Sequence, residues 1–235
     1  GFPSMPANSQ QIDAVTPISV APVSALEDDS HIVSKTVIFF DWDDTLLSST
    51  FLTERGCRLD SNSNQLSEEE AEQMRALEQT VVTLLEAALK CGHVCIVTNA
   101  ETGWVQLSAQ KWMPAVSEFL PRLSVVSARS TFEKSFPNQP EMWKIYAFRD
   151  QMSGHKQLSH VLSFGDSNVE RVAVLHVTQN ICQCSKVQTK SIKFITSPSL
   201  EQLRRQIELV SDCFSNLCQH DGDLDLMLTL NSVCG

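Results

Sequence analysis

Two carboxylates lie two residues apart in Asp41-Trp-Asp43-Asp-Thr45, directly after the apolar run Thr36-Val-Ile-Phe-Phe40. In a turn leaving a strand that spacing lets Asp41 and Asp43 face one pocket while Trp42 points elsewhere, and the pair repels itself unless a cation is present. A second acidic pair, Asp166 and Glu170, follows Val161-Leu-Ser-Phe-Gly165 with the four-residue spacing that shares one face of a helix's first turn. Oxygen ligands of this kind form a hard-cation environment, which suits Mg²⁺ and not zinc. Thr98 and Asn99 close a third apolar run, His93-Val-Cys-Ile-Val97. A lone Asp or Thr at a strand end is most often a cap, so the functional reading rests on the combination.

The elements that must carry these groups are legible as alternation. Thr36–Phe40, His93–Val97, Leu123–Val126, Val161–Phe164 and Ser191–Ile195 read as about five short buried strands. A capping box at Ser67/Glu70 opens a long amphipathic helix to Cys91, further helices surround Trp104–Trp112 and Pro140–Met152, and a closing helix runs from about Ser199 to Leu217. Strands alternating with helices predict an α/β, doubly wound, Rossmann-like parallel sheet with helices on both faces. Ligands of such a sheet sit beyond the carboxyl ends of the strands, where Asp41, Thr98 and Asp166 would converge.

The chain resembles the haloacid dehalogenase (HAD) superfamily at these points. Val37-Ile-Phe-Phe-Asp41-Trp-Asp43-Asp-Thr45 resembles the family's first motif, Val94-Cys-Ile-Val-Thr98-Asn99 the second, and Gly165-Asp166-Ser167-Asn-Val-Glu170 the fourth, in family order across roughly residues 36 to 196. The resemblance implies a phosphatase in which Asp41 is the nucleophile and Asp43 the general acid and base. It implies that Thr98 and Asn99 bind phosphate, that Asp41, the Asp43 carbonyl and Asp166 hold Mg²⁺, and that Thr45, Ser167 and Glu170 support them. The family's lone basic residue falls on Lys144 in the helix before the fourth strand, with Lys134 as the fallback. Asp44 is read as serving the turn, and Trp42 and Trp104 as core rather than substrate contacts.

The segments after Leu47 and Val126 leave no room for the cap domain that many family members carry. An open site suits a phosphorylated protein segment, by analogy with capless family members such as those acting on RNA polymerase tails. Small phosphate esters, transfer to an acceptor other than water, and a silent phospho-partner binding module are the alternatives.

Bulk properties set limits around this reading. The length of 235 residues predicts one domain, residues 35–219, between a Pro-rich extended leader, 1–34, and a C-terminal tail, 220–235. A net charge of −10 and a pI near 5.0 argue against a nucleic-acid partner. No apolar run is long enough for a bilayer, which argues against membrane insertion. The eight cysteines are scattered and read as free thiols of a reducing, cytoplasmic compartment, with no role given to the Cys182/Cys184 pair.

Overall fold

A computed structural model describes residues 35–61, 66–181 and 187–229. The expected leader, the Cys182/Cys184 pair and the last residues of the tail lie outside the described residues.

Six parallel strands form one sheet in the order β3-β2-β1-β4-β5-β6. The strands are β1 (Thr36–Phe40), β2 (His93–Thr98), β3 (Ser124–Ser127), β4 (His160–Gly165), β5 (Gln188–Lys193) and β6 (Leu224–Met227). Chain order runs one way from β1 through β3 and the other way from β4 through β6, so the direction reverses between β1 and β4. The α/β, doubly wound architecture is the expected one, with one more strand than the five anticipated. The sixth lies in the presumed tail: Leu224-Asp-Leu-Met alternates with period two and pairs with Lys190–Lys193 as an edge strand. Asp221, Asp223 and Asp225 make the segment look peripheral in sequence. β5 also begins three residues earlier than its apolar centre, because Gln188 and Thr189 continue the ladder with β4.

Strand parity assigns each side chain to a face. Ile38, Phe40, Val94, Ile96, Leu162 and Phe164 pack with the helices α2 (Glu68–Cys91), α3 (Trp104–Trp112) and α8 (Leu200–Gln219). Val37, Phe39, Cys95, Val97 and Val161 pack on the opposite side with α6 (Pro140–Ser153) and α7 (Asn168–Ile181). Both long helices of the first face begin with capping boxes, Ser67 with Glu70 and Ser199 with Gln202, which satisfy their first amides. Shorter helical segments complete the chain: α1 (Ser49–Glu54), α4 (Pro114–Ser117) and α5 (Ala128–Phe132). No helix among the described residues is long and apolar enough to cross a membrane.

α2 turns into β2 at Gly92, where the start of β1 presses against the backbone. A methyl group there would lie 2.4 Å from the Thr36 carbonyl oxygen, a contact with main chain that cannot swing away. Gly92→Ala is therefore expected to lower stability by about 1–3 kcal/mol, in the range of other overpacked sites, seen as a lower urea midpoint with unchanged slope.

Candidate active site

The β1–β4 register extends past the strand end. The Asp41 amide donates to the Phe164 carbonyl at 2.9 Å, which sets Asp41 beside Gly165 and Asp166 at the reversal point. Asp41 shares the parity of Val37 and Phe39, so it meets the α6/α7 side of the sheet. There Lys144 of α6, only 1% exposed, places Nζ 2.7 Å from Asp41 Oδ1 and also donates to Glu170 Oε1.

Glu170 is fixed by its own helix start. Its Oε2 accepts from the Ser167 amide at 3.1 Å and the Ser167 hydroxyl at 2.5 Å, while Ser167 Oγ accepts the Val169 amide. The Glu170 side chain folds back over Gly165, whose missing Cβ would lie 2.3 Å from Glu170 Cγ. Glycine before Asp166 is thus a packing requirement. The Asp166 carbonyl accepts from Lys193 Nζ and Thr196 Oγ1, both at 2.9 Å, which ties the β4 end to the β5 end.

Asp43 belongs to the other face. A tight turn, in which the Leu46 and Leu47 amides both donate to the Trp42 carbonyl at 3.0 Å, passes through Asp44 at φ +52°. Left-handed backbone is tolerated by Asp, and the Asp44 carboxylate accepts the Thr50 amide at 2.9 Å at the start of α1. Asp44 serves the turn, as expected. Asp43 Oδ1 accepts the Trp104 indole N–H at 2.9 Å, and Oδ2 accepts the Thr98 hydroxyl at 3.2 Å. Thr98 Oγ1 in turn accepts the Ala100 amide at 2.9 Å, which orients its hydroxyl.

Burial governs the electrostatics. It lifts the Asp41 carboxyl well above the ordinary carboxylate range; Lys144 opposes this, while Glu170 and Asp43 reinforce it. Burial also raises Asp43, against the hydrogen bonds from Trp104, Ser49 and Thr98. Asp166 is pushed up to about 7 by burial, with Glu170 and Asp44 adding to it. Burial works against both Lys144 and Glu170 as ions, yet their attraction prevails: Lys144 is raised and Glu170 lowered. One ammonium faces several carboxylates, and that imbalance calls for a further cation.

Carboxylate oxygens of Asp41, Asp166 and Glu170 lie within 4.8 Å of one another, and this hard-oxygen set fits Mg²⁺. The structure brings Asp41, Lys144, Asp166, Ser167 and Glu170 together, and Asp43 with Thr98. Glu170 belongs to this oxygen set while its Oε1 accepts from Lys144 and its Oε2 from Ser167. Asn99 is directed elsewhere: its Nδ2 donates to the Pro140 carbonyl at 3.3 Å, tying β2 to α6. Thr45 Oγ1 is buried without a hydrogen-bond partner among the described residues. Trp42 is fully buried and donates to Ser108 Oγ at 2.9 Å, so it is core. Trp104 is the residue that sequence reasoning missed: an indole at helical spacing reads as packing, and nothing local marks its N–H as bound to Asp43.

No family model, curated protein or solved structure matches this chain.

Two outcomes follow from the charge balance. Lys144→Met leaves Asp41 and Glu170 buried without their counter-charge and is expected to cost about 3–5 kcal/mol in metal-free protein, measured by urea unfolding. Asp166 has a raised folded-state pKa, so its contribution to stability is complete at low pH and is lost as pH rises through about 7. A divalent cation such as Mg²⁺ held by this set would displace that proton, so its thermal stabilisation is expected to grow from pH 6 to pH 8. Its apparent affinity should rise roughly tenfold per pH unit for each proton released, until the carboxyl is ionised. A metal effect independent of pH in scanning calorimetry would contradict this assignment.

Proposed function

We propose that this chain is a Mg²⁺-dependent phosphohydrolase of the HAD type, acting through an aspartyl-phosphate on Asp41 and suited to phosphorylated protein segments. The observation that carries the reading is the pairing of a lysine-bound carboxylate, Asp41, with a second carboxylate two residues on, Asp43, held by an indole and a hydroxyl.

In the first half-reaction Asp41 attacks phosphorus in line, the phosphorus–oxygen ester bond breaks, and Asp43 gives its proton to the leaving oxygen. In the second, Asp43 takes a proton from water, which attacks the phosphorus, frees inorganic phosphate and restores the Asp41 carboxylate. Lys144 turns the Asp41 carboxylate and opposes the protonation that burial favours, so the ammonium would stabilise the ionised nucleophile. Thr98, already beside Asp43, lies within reach of phosphoryl oxygens. Burial raises the affinity of Asp43 for its proton, the direction that suits a general acid. Mg²⁺ held by Asp41, Asp166 and Glu170 would supply neutralisation of phosphoryl charge. The segments following β1 and β3 contain only α1 and α5 ahead of the long helices, among the described residues, which favours a bulky substrate over one enclosed by a lid.

Asp41→Asn is expected to reduce hydrolysis of p-nitrophenyl phosphate by about 10³-fold or more, and EDTA should abolish it in the wild type. Asp43→Asn should lose roughly 10²–10⁴-fold on alkyl phosphates, and much less on p-nitrophenyl phosphate, whose leaving group needs little protonation. Wild-type rates from Asp41→Asn would remove the nucleophile assignment.

A further inference from the structure

A cavity of about 430 Å³, open to solvent, is lined by Cys57, Arg58, Leu59, Asp60, Trp104 and Trp112. Trp104 links it to Asp43. The Trp104 indole puts its N–H on Asp43 Oδ1, and its rings form part of the cavity wall. Trp104 and Trp112 meet edge to face with ring centroids 6.2 Å apart. Leu59, 37% exposed, presents an aliphatic group from the segment after α1.

The two walls are tied to each other. Lys111 of α3 donates to the carbonyls of Arg58, Leu59 and Ser61, at 2.6 Å for the last, while its ammonium stands 5.5 Å over the Trp112 ring. The polar groups at the mouth are engaged with one another: Arg58 Nε donates to Asp60 at 3.0 Å. With Lys111 on carbonyls and the Trp104 N–H on Asp43, Leu59, Trp104 and Trp112 offer a ligand ring and aliphatic carbon, while the exposed Arg58–Asp60 pair places charge at the rim.

Resting on the phosphohydrolase reading above, we propose that this cavity is the leaving-group pocket and that its occupant is the aromatic ring of a phosphotyrosyl side chain. The argument is positional. Asp43 protonates the leaving oxygen, so whatever is bonded to that oxygen starts at Asp43 and extends along the Trp104 indole. A phosphotyrosine fills that path with one flat apolar ring and leaves the peptide backbone outside. A phosphoserine, with one carbon between oxygen and backbone, has no ring to lay along Trp104 and would bring peptide N–H and C=O groups against the indole instead. The second half of hydrolysis is unchanged, since the tyrosine has left before water attacks.

The test uses matched phosphotyrosine and phosphoserine peptides on the full chain with Mg²⁺, in the wild type, Leu59→Ala and Leu59→Asn. The wild type is expected to prefer the phosphotyrosine peptide, and both variants to lose about fivefold in kcat/KM on it while changing less than about twofold on the phosphoserine peptide. Binding is read separately from tryptophan fluorescence, with phenylphosphonate expected to bind about tenfold tighter than methylphosphonate and Leu59→Ala to narrow that gap. Equal binding of the two phosphonates, or equal losses on both peptides, overturns the pocket. Selective phenylphosphonate binding that depends on Leu59, in a protein that hydrolyses neither peptide, upholds the pocket and overturns the hydrolytic reading instead.

Discussion

The buried ammonium of Lys144 between Asp41 and Glu170 is the contact around which the rest of this structure is arranged. Its nitrogen is supplied by α6, its two acceptors by the end of β1 and the first turn of α7, so one ion set binds three elements that are remote in sequence. A buried charge is tolerated only when its partners are placed well, because removal from water costs more than a loose pair returns. That demand explains several local features together. Gly165 is bare because Glu170 lies over it, Ser167 spends both amide and hydroxyl on Glu170, and Asp41 is locked to Phe164 through the backbone. Each holds an acceptor at the position the ammonium requires.

Strand parity then divides the labour between two aspartates only two residues apart. Asp41 continues the odd positions of β1 and meets α6 and α7; Asp43, past a left-handed turn at Asp44, meets Thr98 of β2 and Trp104 of α3. The first faces an ammonium, which works against the protonation that burial favours. The second faces an indole N–H and a hydroxyl in a partly buried setting that favours its protonated form. Two chemically identical side chains meet different partners because the sheet sends them to opposite faces, and no change of residue type is needed.

How much of this was legible follows from the range over which each signal acts. Strands such as Thr36–Phe40 and helices such as Ser67–Cys91 are written in local periodicity and capping, and so was the convergence of Asp41, Thr98 and Asp166 at strand ends. β6 was not, because Asp221, Asp223 and Asp225 outweigh a leucine alternation only four residues long. Lys144 could be chosen only through family resemblance, since a lysine on a helix carries no mark of the pocket it enters. Asn99 stands next to Thr98 in sequence, yet its amide goes to the Pro140 carbonyl, a partner fixed by the approach of α6 to β2. Trp104 was the hardest, because its apolar rings satisfy the helical pattern while its single N–H does the informative work. Long-range polar contacts are settled by tertiary packing, which leaves local pattern silent about them.

A second buried lysine shows why burial alone would not have identified the site. Lys190 of β5 is fully buried, and its nitrogen lies 2.8 Å from His160 Nδ1 and 3.3 Å from Gln188 Oε1. Those direct partners are neutral acceptors. Burial therefore dominates there and lowers the affinity of Lys190 for its proton, only partly offset by Cys218, Asp223 and Asp221. At Lys144 the same penalty is overcome and the shift runs upward, because two carboxylates touch the ammonium. The opposite signs separate a lysine accommodated by the fold from one held charged against it. Beside Lys144 the excess of carboxylates is met by protons, for which burial raises the affinity of Asp41 and Asp166, or by a divalent cation that would take their place at the end of β1.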